Sequence, residues 1–513
     1  MVANIALFGW PLVVMVLFRT CSRPVALLAS IIAGYLLLPT QTELNLPGLP
    51  TLNKDTVPAI ATFLVVLMVG AGKDQQGPAG WVPRSLLPKI LVSAIVIGTF
   101  LTVVTNGDAL IYGATFVPAL RLWDALSAIL TVLVSLLPLF LGRRLLARPE
   151  HHQVILVALV VAAFLYSFLA LYEVRMSPQL NNIIYGFFPH SWLQHIRAGG
   201  FRPIVFLVHG LWLAIFFSGA ILAAFGLMRL STGNLKVAYL GAGLWLLMTL
   251  VLAKSLGALA ITLLLLPIVV FSPVRIQLLV AAGVAVIVLL YPMLRGANLI
   301  PVDQVFNWVQ GLSPERAESF GFRLANEDIL LEKASERPLF GWGGWGRSFV
   351  YDEFGRDISV TDGYWIIVIG IGGWVRYLAE FGLLCLAPIL AAWHARHYRI
   401  GLETSVLLLI LAGNLADLIP NATITPLTWL MAGAIWGRLE LGRDVNASPA
   451  EIPTPEPERA RAAYARRAPE PATPEPEQAG QPAPEPAARQ RYTRQKARIR
   501  RDRADGHNRP KTR

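Results

Sequence analysis

Residues 153–172 read QVILVALVVAAFLYSFLALY, a stretch of 20 residues with no charged side chain. A helix of about 20 apolar residues is long enough to cross the hydrocarbon core of a bilayer. The whole chain is similar in character, because 55% of its 513 residues are hydrophobic and only 15% are charged. Soluble domains are about a quarter charged. The composition therefore excludes an ordinary soluble enzyme and predicts an all-α, polytopic transmembrane helical bundle.

Thirteen apolar runs of this kind predict 12–13 helices, since the runs at 5–18 and 256–272 are weaker than the others. The runs are 5–18, 24–39, 56–70, 88–105, 122–142, 153–172, 203–228, 237–253, 256–272, 277–294, 377–394, 403–419 and 423–437. A long loop at 295–376 separates the tenth run from the eleventh. We therefore expect a membrane domain at 1–442 that carries one long extramembrane loop.

Basic residues recur in every odd-numbered loop between these runs. Arg143 and Arg144 lie in the fifth loop, Arg229 lies in the seventh, and Arg396 lies in the eleventh. Lys and Arg concentrate in cytoplasmic loops of membrane proteins. The pattern predicts that the odd loops and the C-terminus are cytoplasmic, and that the long loop is on the opposite, periplasmic face.

Residues 443–513 differ in kind, with near-repeats of Pro, Glu and Ala followed by a strongly basic end. Such a segment buries too little apolar surface to offset its ordering entropy. We expect a disordered cytoplasmic tail, either simply solubilising or in electrostatic contact with anionic lipid or a partner. The net charge of +12 then reflects this tail and the cytoplasmic loops, and no nucleic-acid partner is expected. The two cysteines exclude a disulfide framework.

Several cations fall on the face where orientation rules disfavour them. They are Arg175, Arg197, Arg202, Lys254, Arg323 and Arg376. Guanidinium groups bind phosphate through paired hydrogen bonds, so a converging set favours a site for a phosphate-bearing ligand. The alternative is that each cation pairs locally, as Glu173 could with Arg175, or contacts lipid headgroups.

The long loop shows its own order. Ser313 and Pro314 are typical of the start of a helix, and the stretch 320–335 has an amphipathic pattern that ends before Pro338. We therefore expect short amphipathic helices in this loop. A Gly- and Trp-rich turn follows at 341–346, in which interfacial anchoring is the expected role of each Trp. Glycines at 370–373 predict a break or close packing before the next helix.

Titratable residues on this face add candidate bases. His190 and His195 lie in the loop 174–202, and Glu380 lies near the outer end of the eleventh run. An ionisable group at membrane depth is a functional candidate, and a histidine can serve as a base near neutral pH. The sequence has no zinc-type histidine pair and no phosphate-binding glycine loop. We therefore predict no metal site. The glycosylation-like sequence at Asn421 is interpreted as chance.

Several of these segments together resemble the O-antigen ligase/O-antigen polymerase family. Its members have an Arg that opens an outer helix, followed by a Pro-Leu-Phe-Gly-x-Gly turn, and here Arg323 precedes such a turn at 338–343. Asp362-Gly-Tyr-Trp365 looks like the family's His/Asp-Asn-x-Leu element, Lys254-Ser-Leu-Gly257 is similar to its Ser-Arg-Gly junction, and the segments 173–175 and 200–203 look like its Arg-bearing outer loop. The likeness covers about 170–390.

The resemblance implies a glycosyltransferase of the bacterial inner membrane that acts at the periplasmic face in surface polysaccharide biosynthesis, of lipopolysaccharide or exopolysaccharide. The donor is a glycan on undecaprenyl diphosphate, and the acceptor is lipid A–core (ligase) or another lipid-linked repeat (polymerase). No cofactor and no metal are implied. Arg175, Arg202, Lys254 and Arg323 are expected to bind the diphosphate, and Asp362, Arg202 and Arg323 are the expected catalytic residues.

One departure from the family bears on the base. Many ligase-type members have a His where this chain has Asp362, so Asp362, His190, His195 or Glu380 has to take the proton. The rival function is a lipid-linked oligosaccharide flippase or a polysaccharide exporter. Catalysis is favoured because the polar residues cluster on one face and no internal repeat is visible.

Overall fold

The structure is a computed structural model that describes residues 1–442 apart from 71–76, 198, 298, 300–303, 305, 308–309 and 312–313, with the side chains of 314–316 and 319 also left out. The tail predicted at 443–513 and the helix start predicted at Ser313 lie outside the described residues.

The described chain is mostly helical. Its helices are α1 (Val2–Thr20), α2 (Arg23–Leu37), α3 (Thr56–Val69), α4 (Leu86–Val104), α5 (Leu122–Ser135), α6 (Leu137–Leu145), α7 (Pro149–Met176), α8 (Leu180–Tyr185), α9 (Gly210–Leu230), α10 (Gly233–Leu252), α11 (Leu256–Phe271), α12 (Val274–Gly296), α13 (Pro314–Ser335), α14 (Tyr364–His394), α15 (Leu402–Asp417) and α16 (Pro426–Leu441). Each of the thirteen apolar runs falls on one of these helices, or on the pair α5 and α6.

Within the described ranges, eight helical segments are long and apolar enough to cross a membrane. They are α1, α4, the continuous segment Leu122–Leu145, α7, α9, α10, α12 and α14, and shorter apolar helices include α2, α3 and α11. The chain is therefore a multi-pass helical membrane protein. The number of crossings, predicted as 12–13, stays a prediction.

Two short antiparallel hairpins accompany the helices. Strand β1 (Leu110–Tyr112) pairs with β2 (Thr115–Val117), and β3 (Ile196–Arg197) pairs with β4 (Gly200–Phe201). The all-α expectation is correct for the bundle but missed these turns, because strands of two or three residues leave no period-2 pattern to read. The second hairpin folds the chain back on itself, so that Arg197 lies on its first strand and Arg202 directly follows its second.

Helix α9 forms the centre of the bundle. It packs against α7, α10, α11 and α15, and the side chains from Leu213 to Leu227 are buried without a break. Glycines allow the close approach, since a Cβ on Gly226 would lie 2.7 Å from Val406 of α15. The apolar run predicted from 203 is helical only from Gly210. The preceding residues form a turn instead, in which Val205 has a positive φ of 55°.

The long loop predicted at 295–376 is shorter in the structure. Helix α14 begins at Tyr364, earlier than predicted. The break predicted at 370–373 is confirmed as a kink at Gly373, whose φ is 66°. The apolar residues Trp365, Ile366 and Ile369 are buried, which explains why this stretch joins the bundle. The predicted amphipathic helix is confirmed as α13.

The segment that follows α13 is held by ion pairs next to the β1–β2 hairpin. Arg337 and Arg347 both form ion pairs with Asp108, at 2.7 Å and 3.3 Å. Trp342 lies against the Lys333 ammonium at 3.6 Å and the Arg337 guanidinium at 4.2 Å from its ring centroid. Trp342 is 5% exposed, so the interfacial role expected for it is wrong. It packs inside the protein because these two cations cover its ring.

Gly373 provides a test of the kink. A Cβ at this position would lie 2.4 Å from the carbonyl carbon of Leu339, and positive φ is strained for any other residue. We expect Gly373→Ala to lower the free energy of unfolding by about 2 kcal/mol or more, measured by denaturation in detergent.

The control is Gly241→Ala in α10, where no atom lies within 4 Å of an added Cβ. It should be neutral or slightly stabilising. Equal stability of the two variants would contradict the close packing at Gly373.

Candidate functional site

Arg202 is a buried cation without a carboxylate partner among the described residues. Its side chain is 7% exposed, and its Nη2 donates a long hydrogen bond of 3.4 Å to Ser255 Oγ. Its Nε has no hydrogen-bond partner in the described structure. A buried charge is costly unless it is paired, so Arg202 is the least compensated of the buried cations at this site.

Other cations surround Arg202. Burial, with further contributions from Arg197 and Arg323, lowers the pKa of Arg202 to about 10. Lys254 joins the group by donating from Nζ to the Arg197 carbonyl at 2.8 Å. We call Arg197, Arg202, Lys254 and Arg323 the cationic cluster. It brings together three of the four cations predicted to bind diphosphate.

Two glycines make room for the cationic cluster. A Cβ at Gly210 would lie 2.6 Å from Arg202 Cδ, and a Cβ at Gly200 would lie 2.4 Å from Lys254 Nζ. Close packing against the cations therefore explains why both positions are glycine. Neither glycine has the positive φ that would by itself favour this residue. Larger residues here would displace the cations.

Glu173 holds the turn that carries Arg202. Its buried carboxylate accepts hydrogen bonds from the backbone N–H groups of Ile204 at 2.9 Å, Val205 at 2.7 Å and Leu180 at 3.0 Å. Val205 has a φ of 55°, so the carboxylate stabilises a turn that is otherwise unfavourable. The pairing considered for Glu173 with Arg175 is not what the structure shows, because these N–H groups occupy the carboxylate.

Two residues absent from the sequence prediction support the same turn. Lys54 is buried and donates from Nζ to the Phe206 carbonyl at 2.8 Å, and burial lowers its pKa to about 8. The Tyr166 hydroxyl accepts from Phe206 N at 3.1 Å and donates to the Leu36 carbonyl at 2.9 Å. Both contacts join parts of the chain far apart in sequence, so no local motif could have indicated them.

Arg323 and Asp362 form an ion pair, with Arg323 Nε 3.3 Å from Asp362 Oδ2 and each side chain 33% exposed. Arg323 also donates from Nη1 to the Pro420 carbonyl at 3.2 Å and to Asn421 Oδ1 at 3.3 Å. Burial raises the pKa of Asp362, and the adjacent Arg323 opposes that rise. The pair is partly exposed, and Arg323 is one of the cations that lower the pKa of Arg202.

Asn421 connects this ion pair to a buried carboxylate. Its Nδ2 donates to Asp417 Oδ1 at 2.9 Å, and Thr423 Oγ1 donates to Asp417 Oδ2 at 2.6 Å. Asn421 is 7% exposed, so its amide serves internal hydrogen bonds. Asp417 and Asn421 were not among the predicted site residues, because they come from the last residue of α15 and the turn that follows it, beyond the segments that carried the resemblance.

Glu380 lies in a separate network within α14. It accepts from Arg376 Nε at 2.7 Å and from the Tyr364 hydroxyl at 2.8 Å. Arg376 is therefore paired, and both oxygens of Glu380 accept hydrogen bonds.

Arg175 is on the exposed last turn of α7, and no ion pair joins it to any described residue. The structure does not bring Arg175 into the cationic cluster.

Three imidazoles lie beside Arg202. The ring centroids of His190 and His195 are both 5.0 Å from that of His209. His195 is buried, and its Nδ1 lies 2.9 Å from the Ser191 carbonyl, which places the proton on Nδ1 because a carbonyl only accepts. His209 Nδ1 instead accepts from Leu211 N at 3.2 Å. Burial and the nearby cations lower the pKa of both residues, for His209 to about 3.

No protein-family model matches this chain, and no curated protein matches it. In the part of the chain that is described, no three His, Cys, Asp or Glu side chains form a group that could hold a metal ion. The class that fold and site define is a multi-pass helical membrane protein with a partly buried cationic cluster next to carboxylates and neutral imidazoles.

Glu173→Ala tests the support of the Arg202 turn. The substitution leaves three N–H groups without their acceptor, two of them buried, and each buried one costs about 1–3 kcal/mol. We expect the free energy of unfolding to fall by about 3 kcal/mol or more, and Glu173→Gln, which keeps one oxygen, to lose less. Glu353→Ala, at an exposed carboxylate, should change stability by under about 0.5 kcal/mol. A loss at Glu173 no larger than at Glu353 would contradict this role.

His209 should make stability depend on pH. Its folded pKa is about 3, below the ordinary value of about 6.5, so the unfolded chain binds the extra proton between these values. Stability is therefore lost as the pH falls below about 6.5, by about 1.4 kcal/mol per pH unit from this group. His209→Asn keeps a side-chain acceptor for Leu211 N and should reduce the slope in unfolding measured from pH 7.5 to 5.5. If His209→Asn leaves the pH dependence of the unfolding free energy unchanged, His209 is not the group that causes it.

Proposed function

We propose that this protein is a glycosyltransferase related to O-antigen ligases and polymerases, which moves a glycan from undecaprenyl diphosphate to a hydroxyl acceptor. The observation that carries the proposal is the buried Arg202, unpaired with any described carboxylate and surrounded by further cations. Such a site favours a ligand with several negative charges that can reach membrane depth. A lipid diphosphate has both properties.

The reaction exchanges one glycosidic bond for another. The acceptor hydroxyl oxygen forms a bond to the anomeric carbon of the donor, and the bond from that carbon to the diphosphate oxygen breaks. The electron pair of the broken bond leaves with the diphosphate, whose growing charge the cationic cluster stabilises. No nucleotide sugar and no cofactor take part in this scheme, because the diphosphate bond supplies the driving force.

Asp362 is the proposed acceptor of the hydroxyl proton. Its pKa is raised by burial, which makes the carboxylate a stronger base, and Arg323 orients it through the ion pair at 3.3 Å. His195 is the second candidate, because its Nε2 is an acceptor with no hydrogen-bond partner among described atoms. Glu380 is less suited, since Arg376 and Tyr364 occupy its two oxygens.

The proposal places the protein in the bacterial inner membrane with the cationic cluster on the periplasmic face and the C-terminus in the cytoplasm. The alternation of basic loops supports this orientation. Donor glycans on a polyprenyl carrier would then reach the site from within the bilayer. The acceptor is lipid A–core in a ligase and a second lipid-linked repeat in a polymerase.

Substitution in a strain that lacks the native gene tests the proposal. Arg202→Ala removes the buried cation, and Asp362→Ala removes the base. We expect each to reduce glycan transfer by about 10²-fold or more, measured from surface polysaccharide at matched protein level. A ligase defect leaves long lipid-linked chains unattached, and a polymerase defect leaves single repeats attached.

Arg356→Ala is the control, because Arg356 is 74% exposed and pairs only with neighbouring Asp352 among the described ion pairs. It should support normal polysaccharide. Normal chain length and attachment in both Arg202→Ala and Asp362→Ala would contradict the catalytic role. Accumulation of lipid-linked repeats on the cytoplasmic side would indicate a flippase instead.

A further inference from the structure

Asn326 is a buried polar residue of α13 that lies three positions after Arg323. Its side chain is 5% exposed. Its Nδ2 donates to the Phe322 carbonyl at 2.8 Å, and its Oδ1 accepts from Val360 N at 2.7 Å. Only this orientation of the amide satisfies both groups, because a carbonyl accepts and an N–H donates. Asn326 therefore joins α13 to the chain segment that leads into α14.

Asp362 lies in the middle of that segment, which is not helical. On one side of it, Val360 N donates to Asn326. On the other side, Tyr364 N donates to the Leu418 carbonyl at 3.0 Å. Each of these two amides is two residues from Asp362. A backbone that is held on both sides at this spacing has little freedom to move, so these contacts restrict where the Asp362 carboxylate can lie.

The Arg323–Asp362 ion pair depends on this support. Its atoms are 3.3 Å apart, and both side chains are partly exposed. An exposed ion pair contributes little by itself to holding two side chains in one geometry. Asn326 bonds to Phe322, the residue before Arg323, and to Val360, close to Asp362. One buried side chain thus ties together the backbones that carry the two partners.

The next residue, Glu327, anchors the same turn of α13 to α12. Its buried carboxylate accepts from the Tyr291 hydroxyl at 3.2 Å. Arg295 of α12 also pairs with Asp328 of α13 at 2.6 Å. Because these contacts hold the turn against the bundle, Asn326 extends from a fixed part of the helix and can locate the segment that faces it.

We propose that Asn326 is a positioning residue of the proposed reaction, which holds the Asp362 carboxylate against the Arg323 guanidinium. The inference rests on the proposed function and adds a residue that acts through the base. Burial raises the pKa of Asp362, and Arg323 opposes that rise. If the pair separates, the opposition weakens and the pKa of Asp362 rises further. The ionised base is then lost at a higher pH as the solution is acidified.

Two substitutions in the full-length protein test the inference. Asn326→Ala removes both hydrogen bonds. Asn326→Ser removes only the bond to Val360, because a serine in a helix can still donate to the carbonyl four residues before it but is too short to reach Val360. We expect each variant to transfer glycan from undecaprenyl diphosphate about tenfold more slowly or less. The acidic limb of the pH–rate profile should also move to higher pH.

The Val360 amide provides a measurement that does not depend on activity. In the wild-type protein, the bond to Asn326 should slow its exchange with deuterium, and in Asn326→Ser the exchange should be about tenfold faster or more. Asn234→Ala, at an exposed asparagine of α10, is the matched control and should change neither exchange nor transfer. A Val360 amide that exchanges freely in the wild-type protein would overturn the inference without any variant.

The results also separate this inference from the proposed function. If the wild-type protein transfers glycan and folded Asn326→Ser does so at the same rate, the inference is wrong and the proposed function stands. A lower rate with an unshifted pH profile would overturn it as well, because a general structural defect leaves the pKa of Asp362 unchanged. Asn326→Ser decides if Asn326→Ala does not fold. If the wild-type protein transfers no glycan, the proposed function fails, and the inference fails with it.

Discussion

The burial of Arg202 without a carboxylate partner is the constraint on which the site depends. A guanidinium that is 7% exposed would be stabilised by an ion pair, yet none of the described carboxylates lies within ion-pair distance of it. Around it the chain departs from regular helix, and Glu173, Lys54 and Tyr166 satisfy the backbone groups of the turn that results. The protein thus uses buried polar contacts to hold a charge that no described carboxylate balances.

Charge on this end of the bundle is arranged unevenly. Arg323 is balanced by Asp362 and Arg376 by Glu380, whereas Arg202 faces Arg197 and imidazoles that burial keeps neutral. Within this end of the bundle, Arg202 is therefore the buried cation that no described carboxylate balances. In the proposed reaction, Arg202 would hold the leaving diphosphate and Asp362 would accept the proton.

Sequence alone predicted the parts of this structure that depend on local pattern. Apolar runs identified the bundle helices, the amphipathic pattern identified α13, and orientation rules singled out Arg202, Lys254 and Arg323. The supporting contacts could not be predicted from local sequence patterns. The hydrogen bonds from Lys54 to Phe206 and from Arg323 to Asn421 join residues that are about a hundred or more positions apart in the sequence. Arg175 was included because of its charge and because the segment 173–175 resembles the Arg-bearing outer loop of the family. Its side chain lies on the exposed end of α7, outside the cationic cluster. The early start of α14 was missed because three glycines resemble a loop, whereas here only Gly373 leaves helical geometry.

The most direct measurement places the purified full-length protein in liposomes with a glycan on undecaprenyl diphosphate and an acceptor on the same face, in the presence of EDTA and without nucleotide. The account predicts that glycan passes to the acceptor and that free undecaprenyl diphosphate appears in equal amount. Movement of the intact lipid-linked glycan to the opposite leaflet, with no free undecaprenyl diphosphate, would contradict it.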